Sequence, residues 1–169
     1  MNHRPTTSPD VLVIGAALNG LAAALSLGGR HVKRPLNVVL IDAKDPRGFA
    51  SNSFDGRASA ITASARRMFE ALGVWQQVAQ HAQSMDEIIV TDSARPGDPR
   101  PVLLQFDAGD MRGQPSSHMI ENRYLYGAML DEALASPHIS LAVGQAVAHY
   151  AFGPDAFGPG LAALTLADG

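Results

Sequence analysis

An α/β fold, a parallel sheet with helices plus an antiparallel excursion, is predicted by three observations. Val11-Leu12-Val13-Ile14 runs straight into Gly15, and a turn of small residues leads into the apolar stretch Leu21-Ala22-Ala23-Ala24-Leu25. After a basic loop closed by Pro35, Leu36 to Ile41 reads as the second buried strand, with Val38-Val39-Leu40-Ile41 apolar throughout, and ends in Asp42. Uninterrupted runs of this kind read as parallel strands buried on both faces. Ile139 to Val143, with Ser140 within it, is expected as a third buried strand that joins the sheet beside the second.

The first strand, its glycine turn and the following helix start open a dinucleotide-binding βαβ unit. The first N–H groups of the helix are free there, and its dipole favours a pyrophosphate. In this chain the turn is Gly15-Ala16-Ala17-Leu18-Asn19-Gly20, so the first and third glycines of the GxGxxG spacing are kept and the second is Ala17. The middle glycine normally lets backbone approach the pyrophosphate. A methyl there either pushes the phosphates outward or shifts the turn. Asp42 lies 22 positions after Gly20 (42 − 20), near the spacing of about 20 for a carboxylate that accepts from ribose hydroxyls. A strand-end aspartate that only caps a turn is the alternative.

Composition narrows the class. The 169 residues are enough for one domain with a core. Hydrophobic residues are 46% and charged residues 17%, against about 25% charged in an average globular protein. That balance suits a buried parallel sheet or a piece of a larger protein. A net charge of −3 argues against nucleic acid as a partner. The absence of cysteine excludes disulfides, thiolate metal sites and a cysteine nucleophile. The six histidines are scattered without metal-ligand spacing, so no metal site is expected. Residues 11–29 carry no charge, which raises a signal peptide or a membrane span. Glycines and Asn19 interrupt the stretch and a second strand follows it, so the globular reading prevails.

Residues 1–9 are expected to be a disordered lead-in. The first helix should run from about Asn19 to Leu27 and stop at Gly28-Gly29. Arg30, Lys33 and Arg34 read as a solvated loop. After the turn-rich segment Ala43 to Gly56 comes Arg57, and from Thr62 the pattern is helical. Ala65, Met68, Phe69 and Leu72 share one face there, and Gly73 closes the helix. Val74-Trp75 re-enters the core and starts a short helix towards Ala82, with the lone tryptophan as a packing residue. Asp86 to Asp92 is expected as a half-buried strand with Val102 to Phe106 as its antiparallel partner, and His118 to Glu121 as a short returning strand. The segment 86–121 thus forms an excursion towards the substrate side.

Asn122 is expected to cap a helix from Arg123 to about Ala135, with Leu125, Met129, Leu130, Ala133 and Leu134 facing the core. Arg123 falls in its first turn, where the dipole disfavours a cation by a few tenths to about 1 kcal/mol. Either an anion is held nearby or the arginine is exposed and screened by water. Strands from Ala146 to Tyr150 and from Leu161 to Leu166 follow, around the tandem Ala151-Phe-Gly-Pro-Asp and Ala156-Phe-Gly-Pro-Gly. The last strand runs into Asp168-Gly169, a hairpin-turn signal with no returning strand after it. Such an open edge is a liability, and the expectation is a truncated protein.

The segments DVLVIGAALNGLAAALSL, VVLID, FDGRASAITASARRMFEALGVW and MIENRYLYGAMLDEAL, in this order, resemble the flavin-dependent aromatic hydroxylases. They are most similar to the ubiquinone-biosynthesis hydroxylases, which act on polyprenylated phenols. The resemblance implies a Rossmann-like FAD-binding fold over residues 10–169, present here as its N-terminal portion. It implies that Gly15, Ala16, Ala17, Leu18, Asn19 and Gly20 hold the FAD pyrophosphate and that Asp42 accepts from the adenosine ribose. Arg57 matches the family arginine beside the flavin, and Arg123 the polar or basic residue at the head of a helix that reaches the FAD.

By the same resemblance, NAD(P)H is the reductant, O2 the co-substrate and a small aromatic ring, polyprenylated or not, the substrate. The cofactor carries the chemistry, so no catalytic side chain is named. The family's later FAD motifs would lie beyond residue 169, so the isolated chain is expected to be inactive. The implied location is cytoplasmic, with peripheral association at the inner membrane or with a biosynthetic complex. Two readings from other classes stay open. One is an assembly or scaffolding module that has lost FAD, motivated by Ala17 and the short length. The other is half of an NAD-dependent oxidoreductase, against which the antiparallel excursion argues.

Overall fold

The computed structural model describes residues 9–49, 54–93, 97, 99–107, 115–152 and 162–167. Residues 1–8 of the expected lead-in, residues 153–160 of the tandem and the Asp168-Gly169 turn lie outside the described residues. In chain order the elements are β1 (Val11–Ile14), α1 (Leu18–Gly28), β2 (Val38–Asp42), β3 (Ala58–Thr62), α2 (Ala63–Ala71) and α3 (Trp75–Val78). Then come β4 (Gln83–Met85), β5 (Glu87–Thr91), β6 (Val102–Asp107), β7 (Ser117–Glu121), α4 (Asn122–Ala135), β8 (Ile139–Val143), β9 (Val147–Phe152) and β10 (Ala162–Leu166). Short 3₁₀ turns lie at Pro46–Phe49 and Ala79–His81.

The three predicted parallel strands form one sheet in the order β1-β2-β8. Val11 lies beside Val38 and Ile14 beside Ile41, while Val38 to Asp42 pair with Ile139 to Val143. Val38, Val39, Leu40 and Ile41 are buried, as a central strand covered on both faces requires. In contrast to the expectation, β1 is only half-buried and Ile14 is 57% exposed. Among the described residues β1 is the edge of this sheet, with a strand on one side only.

Helix α1 lays Leu21, Ala24 and Leu25 into the core shared with Met129, Leu130 and Ala133 of α4. Full burial of Leu21 and of Leu25 stabilises by about 1.5–3 kcal/mol each. Gly28 lets the end of α1 touch the sheet, because a Cβ there would lie 2.8 Å from the Leu36 carbonyl oxygen and 3.1 Å from Ile139 Cγ1. The helix stops at Gly28 without a left-handed glycine: Gly29 leaves in an extended conformation, φ −66° and ψ 158°.

Thr62 caps α2 by accepting from the Ala65 N–H at 3.3 Å. At the other end Gly73 has φ +76°, its N–H donates to the Glu70 carbonyl, and the Val74 N–H donates to the Phe69 carbonyl. This paired closure is the Schellman arrangement, which favours glycine at that position. Phe69 and Leu72 are buried as expected, but Met68 is exposed. Trp75 is buried, with His118 edge-on at 5.2 Å and the Arg66 guanidinium 5.1 Å from its ring.

Between β2 and β8 the chain builds a second, antiparallel sheet in the order β3-β7-β4. Neither β3 nor β4 is foreseen from sequence. Ala58-Ser-Ala-Ile-Thr is poor in strand formers, and its pairing with β7 is decided by tertiary context. The excursion β5-β6 is antiparallel as expected, but it is largely exposed instead of half-buried. It stands as a two-stranded ribbon of its own. The last strand, β10, pairs antiparallel with β9.

Three further expectations change. Glu121, not Asn122, is the N-cap of α4, and its side chain makes no capping bond. Asn122 is the first helical residue, and its Oδ1 instead accepts from Ser59 Oγ at 2.6 Å. Leu134 is exposed, while Tyr126, Ala128 and Glu132 occupy buried positions on α4. Arg30 is exposed in its loop as expected, but it is also ion-paired. Its Nη2 donates to both Glu132 oxygens at 2.9 Å, and Gln77 Nε2 donates to Oε1 at 2.7 Å. A buried carboxylate needs such partners. Among the described residues no helix is long and apolar enough to cross a membrane, and no cluster of three or more His, Asp or Glu could hold a metal ion.

Candidate nucleotide-binding site

The site grows from the end of β1. The Gly15 N–H donates to the Ile41 carbonyl at 2.8 Å, which carries the β1-β2 ladder one residue further. Gly15 then turns with φ +95°, a conformation open to glycine and costly for other residues. The Gly15 carbonyl folds over α1, where its oxygen fills the space a Cβ at Gly20 would need. Both retained glycines are therefore demanded by the backbone path.

Ala17 is not. It is the N-cap of α1 with φ −77° and ψ −178°, ordinary extended backbone, and the Leu21 N–H donates to its carbonyl at 2.9 Å. Its side chain supplies no cap, and the first-turn N–H groups of a helix have no intrahelical acceptor. Ala17 and Asn19 are exposed, Leu18 is half-buried against the core, and Ala16 is buried. The methyl of Ala17 thus leaves the turn intact. The helix N-terminus is open to an anion, as a pyrophosphate requires.

Asp42 closes the turn from the neighbouring strand. Its Oδ2 accepts from the Ala16 N–H at 2.7 Å and its Oδ1 from the Lys44 N–H at 2.8 Å. Sequence spacing alone did not reveal this bond to the turn. Tyr126 closes it from α4: its hydroxyl donates to the Ala16 carbonyl at 2.8 Å, across 110 positions of sequence. Burial pushes the Tyr126 hydroxyl up to about 12, with the Asp42 and Asp45 charges adding to the effect. It is a neutral donor at any physiological pH. The signal for it was modest, a tyrosine on the core face of α4 whose polar tip needed a partner.

The two arginines lie at the same end of the fold. The Asn122 N–H donates to the Arg57 carbonyl at 3.0 Å, tying the start of β3 to the head of α4. The Arg57 side chain is exposed and clasps Asp55, with Nε and Nη2 donating to Oδ2 at 2.8 and 2.6 Å. That hydrogen bond from the Arg57 side chain holds the Asp55 carboxyl below its usual value.

Arg123 is mostly buried. Its Nε donates to Glu121 at 2.7 Å and its Nη2 to the Tyr124 hydroxyl at 3.0 Å, with the guanidinium 4.6 Å from the Tyr124 ring centroid. Tyr124 in turn lies flat on His81, centroids 3.7 Å apart. The cation in the first turn of α4 is therefore compensated by Glu121 within the chain, a partner the sequence reading did not consider. Arg123 and Tyr126 are three positions apart on α4. Both guanidinium groups are thus ion-paired within the chain, Arg57 with Asp55 and Arg123 with Glu121, which leaves the N–H groups of the α1 N-terminus as what the arrangement offers an anion. No acid–base pair or activated nucleophile is assembled in it.

No family model matches the chain. It is 32% identical over 121 residues to ubiquinone hydroxylase UbiL of Rhodospirillum rubrum, covering 72% of this chain and 26% of that protein. It is 27% identical over 147 residues to 3-demethoxyubiquinol 3-hydroxylase of Escherichia coli, covering 85% and 34%. With the mitochondrial ubiquinone biosynthesis monooxygenase COQ6 of Caenorhabditis elegans it shares 24% over 143 residues, covering 82% and 30%. The chain thus spans about a quarter to a third of the length of these curated relatives.

Solved structures share the fold at lower identity. PqsL of Pseudomonas aeruginosa, described as a probable FAD-dependent monooxygenase, superposes with a TM-score of 0.66 at 16% identity over 95% of this chain and 39% of that one. For 2-methyl-3-hydroxypyridine-5-carboxylic acid oxygenase the TM-score is 0.65 at 16% identity, over 96% and 36%.

Proposed function

We propose, for a chain related in sequence to the ubiquinone-biosynthesis hydroxylases and folded as FAD-dependent monooxygenases are, that it forms the adenosine and pyrophosphate side of an FAD site in an aromatic hydroxylase. The observation that carries this reading is the Gly15–Gly20 turn, in which the Gly15 carbonyl leaves no room for a side chain at Gly20 and the first turn of α1 stays uncapped. The residues fit the group. The α1 N-terminus from Ala17 to Gly20 faces the pyrophosphate, and Asp42 at the end of β2 accepts from ribose hydroxyls. Arg123, paired with Glu121 in the first turn of α4, reaches the FAD as a hydrogen-bond donor, and Arg57 lies on the flavin side.

FAD, when bound, supplies the redox chemistry: reduced by NAD(P)H, it activates O2 to transfer one oxygen atom to an electron-rich ring. This chain's residues bind and orient it. The relatives are named a ubiquinone hydroxylase, a ubiquinone biosynthesis monooxygenase and a 3-demethoxyubiquinol 3-hydroxylase, which supports a polyprenylated phenol as the substrate. Such a substrate calls for peripheral contact with the inner membrane or with partner proteins, and the excursion 86–121 faces the substrate side. The antiparallel sheet inserted between β2 and β8 speaks against an NAD-dependent half, since such domains proceed from strand to strand by single crossovers. Purifying the complete gene product tests the reading: a flavin spectrum and NAD(P)H-dependent phenol hydroxylation are expected. A colourless protein that FAD cannot reconstitute would contradict it.

A further inference from the structure

Ala16 is held by both of its backbone groups, which belong to successive peptide planes. Asp42 takes its N–H, and the buried Tyr126 hydroxyl donates to its carbonyl. No peptide bond among the described residues is cis, and in a trans peptide the C=O of one residue points opposite to the N–H of the next. A carbonyl drawn inward to Tyr126 therefore sends the Ala17 N–H outward. We infer that Tyr126 is a positioning residue for the pyrophosphate turn: by donating to the Ala16 carbonyl it aims the Ala17 N–H at the ligand's phosphates.

The inference rests on the nucleotide reading above and deepens it. Two features make the hold necessary. Gly15, at φ +95°, is a permissive hinge just before Ala16. Ala17 has no side-chain group to cap the helix, and the first bond of the helix, from the Leu21 N–H to the Ala17 carbonyl, falls on the next peptide plane. Tyr126 fixes it from the opposite element, α4, and links the turn to the helix that carries Arg123. Its hydroxyl must remain protonated for this, and burial ensures that. The side chain touches no reacting atom; it acts through Ala17.

The test uses the 169-residue chain, labelled with ¹⁵N, and two probes, ADP and adenosine. In the wild-type chain the Ala17 amide proton should move downfield as ADP saturates, the signature of a phosphate hydrogen bond, and adenosine should leave it in place. Tyr126→Phe should abolish that shift and weaken ADP about tenfold, roughly one lost hydrogen bond, while adenosine affinity is unchanged. Tyr126→Gln returns an N–H donor and should restore part of the ADP preference. A merely structural tyrosine would weaken both ligands alike. An unchanged ADP-to-adenosine ratio and an unchanged Ala17 shift in Y126F overturn the assignment of Tyr126 alone. A wild-type chain that binds neither probe overturns the nucleotide reading itself. Should Y126F fail to fold, the wild-type Ala17 amide decides: no downfield shift at saturating ADP overturns the inference.

Discussion

The carbonyl oxygen of Gly15 occupies the place where a side chain at Gly20 would begin. The glycine turn and the first turn of α1 are thereby locked together, and the spacing of these two glycines follows from a steric fact. Gly20→Ala should force the helix start away from the turn. Overpacking of this kind costs about 3 kcal/mol or more when backbone must move. Urea denaturation should show that loss, and ADP binding should disappear with it.

Ala17 behaves differently, because its extended backbone asks for no glycine. Ala17→Gly should leave stability unchanged within about 0.5 kcal/mol, because the better N-cap that glycine makes is offset by the entropy it adds to the unfolded chain. If the methyl group keeps the phosphates at a distance, removing it lets backbone approach them. ADP affinity measured by calorimetry should therefore rise severalfold in A17G. Weaker binding would show that the methyl group packs on the ligand.

The contrast between these positions shows what the sequence could tell. Apolar runs marked β2 and β8, and the parallel sheet was legible from them together with Gly15 and Asp42, but β8, expected to be buried as β2 is, is only half-buried. The pairing of β3 was not, because Ala58, Ser59 and Ala60 carry little strand preference and the bond is made with residues some sixty positions away. Polar partnerships across the fold were equally hidden. Tyr126 to Ala16 and Arg30 to Glu132 join residues more than a hundred positions apart. No local pattern encodes such a contact. The excursion was read correctly as antiparallel, yet its burial was not, since alternation in a strand does not say whether a second layer exists.

Glu132 supplies a stability prediction independent of ligand. Its buried carboxylate receives Arg30 and Gln77, and His31 lies 3.9 Å away. Glu132→Gln keeps the shape and removes the charge that organises these donors. A loss of about 2 kcal/mol is expected, the scale of hydrogen bonds to a charged group. Arg30 is half-exposed and can return to water, so a loss well beyond that would mean that the carboxylate holds more than these partners. Equilibrium denaturation reads it directly.

His118 predicts how stability depends on acid. Burial, and then the Arg66 charge, lower its pKa below the ordinary 6.5, and Nδ1 is buried without a hydrogen-bond partner. The folded state therefore takes up this proton less readily than the unfolded chain. Above pH about 6.5 the residue is neutral in both states and contributes no pH dependence. As pH falls below that value the unfolded state gains protons first, and stability declines until the folded state is protonated too. His118→Phe keeps the edge contact with Trp75 and removes the titration. Its denaturation midpoint should fall less than that of the wild type between pH 7.5 and 5, and an equal fall would exclude His118 as the source.

The central claim is that the Gly15–Gly20 turn, Asp42 and the head of α4 together hold the adenosine diphosphate side of FAD. A ¹⁵N-detected titration of the chain with FAD measures this most directly. Saturable shifts confined to residues 15–20, 42–44 and 122–124 are the predicted result. Shifts elsewhere, or none at millimolar FAD, would contradict the account.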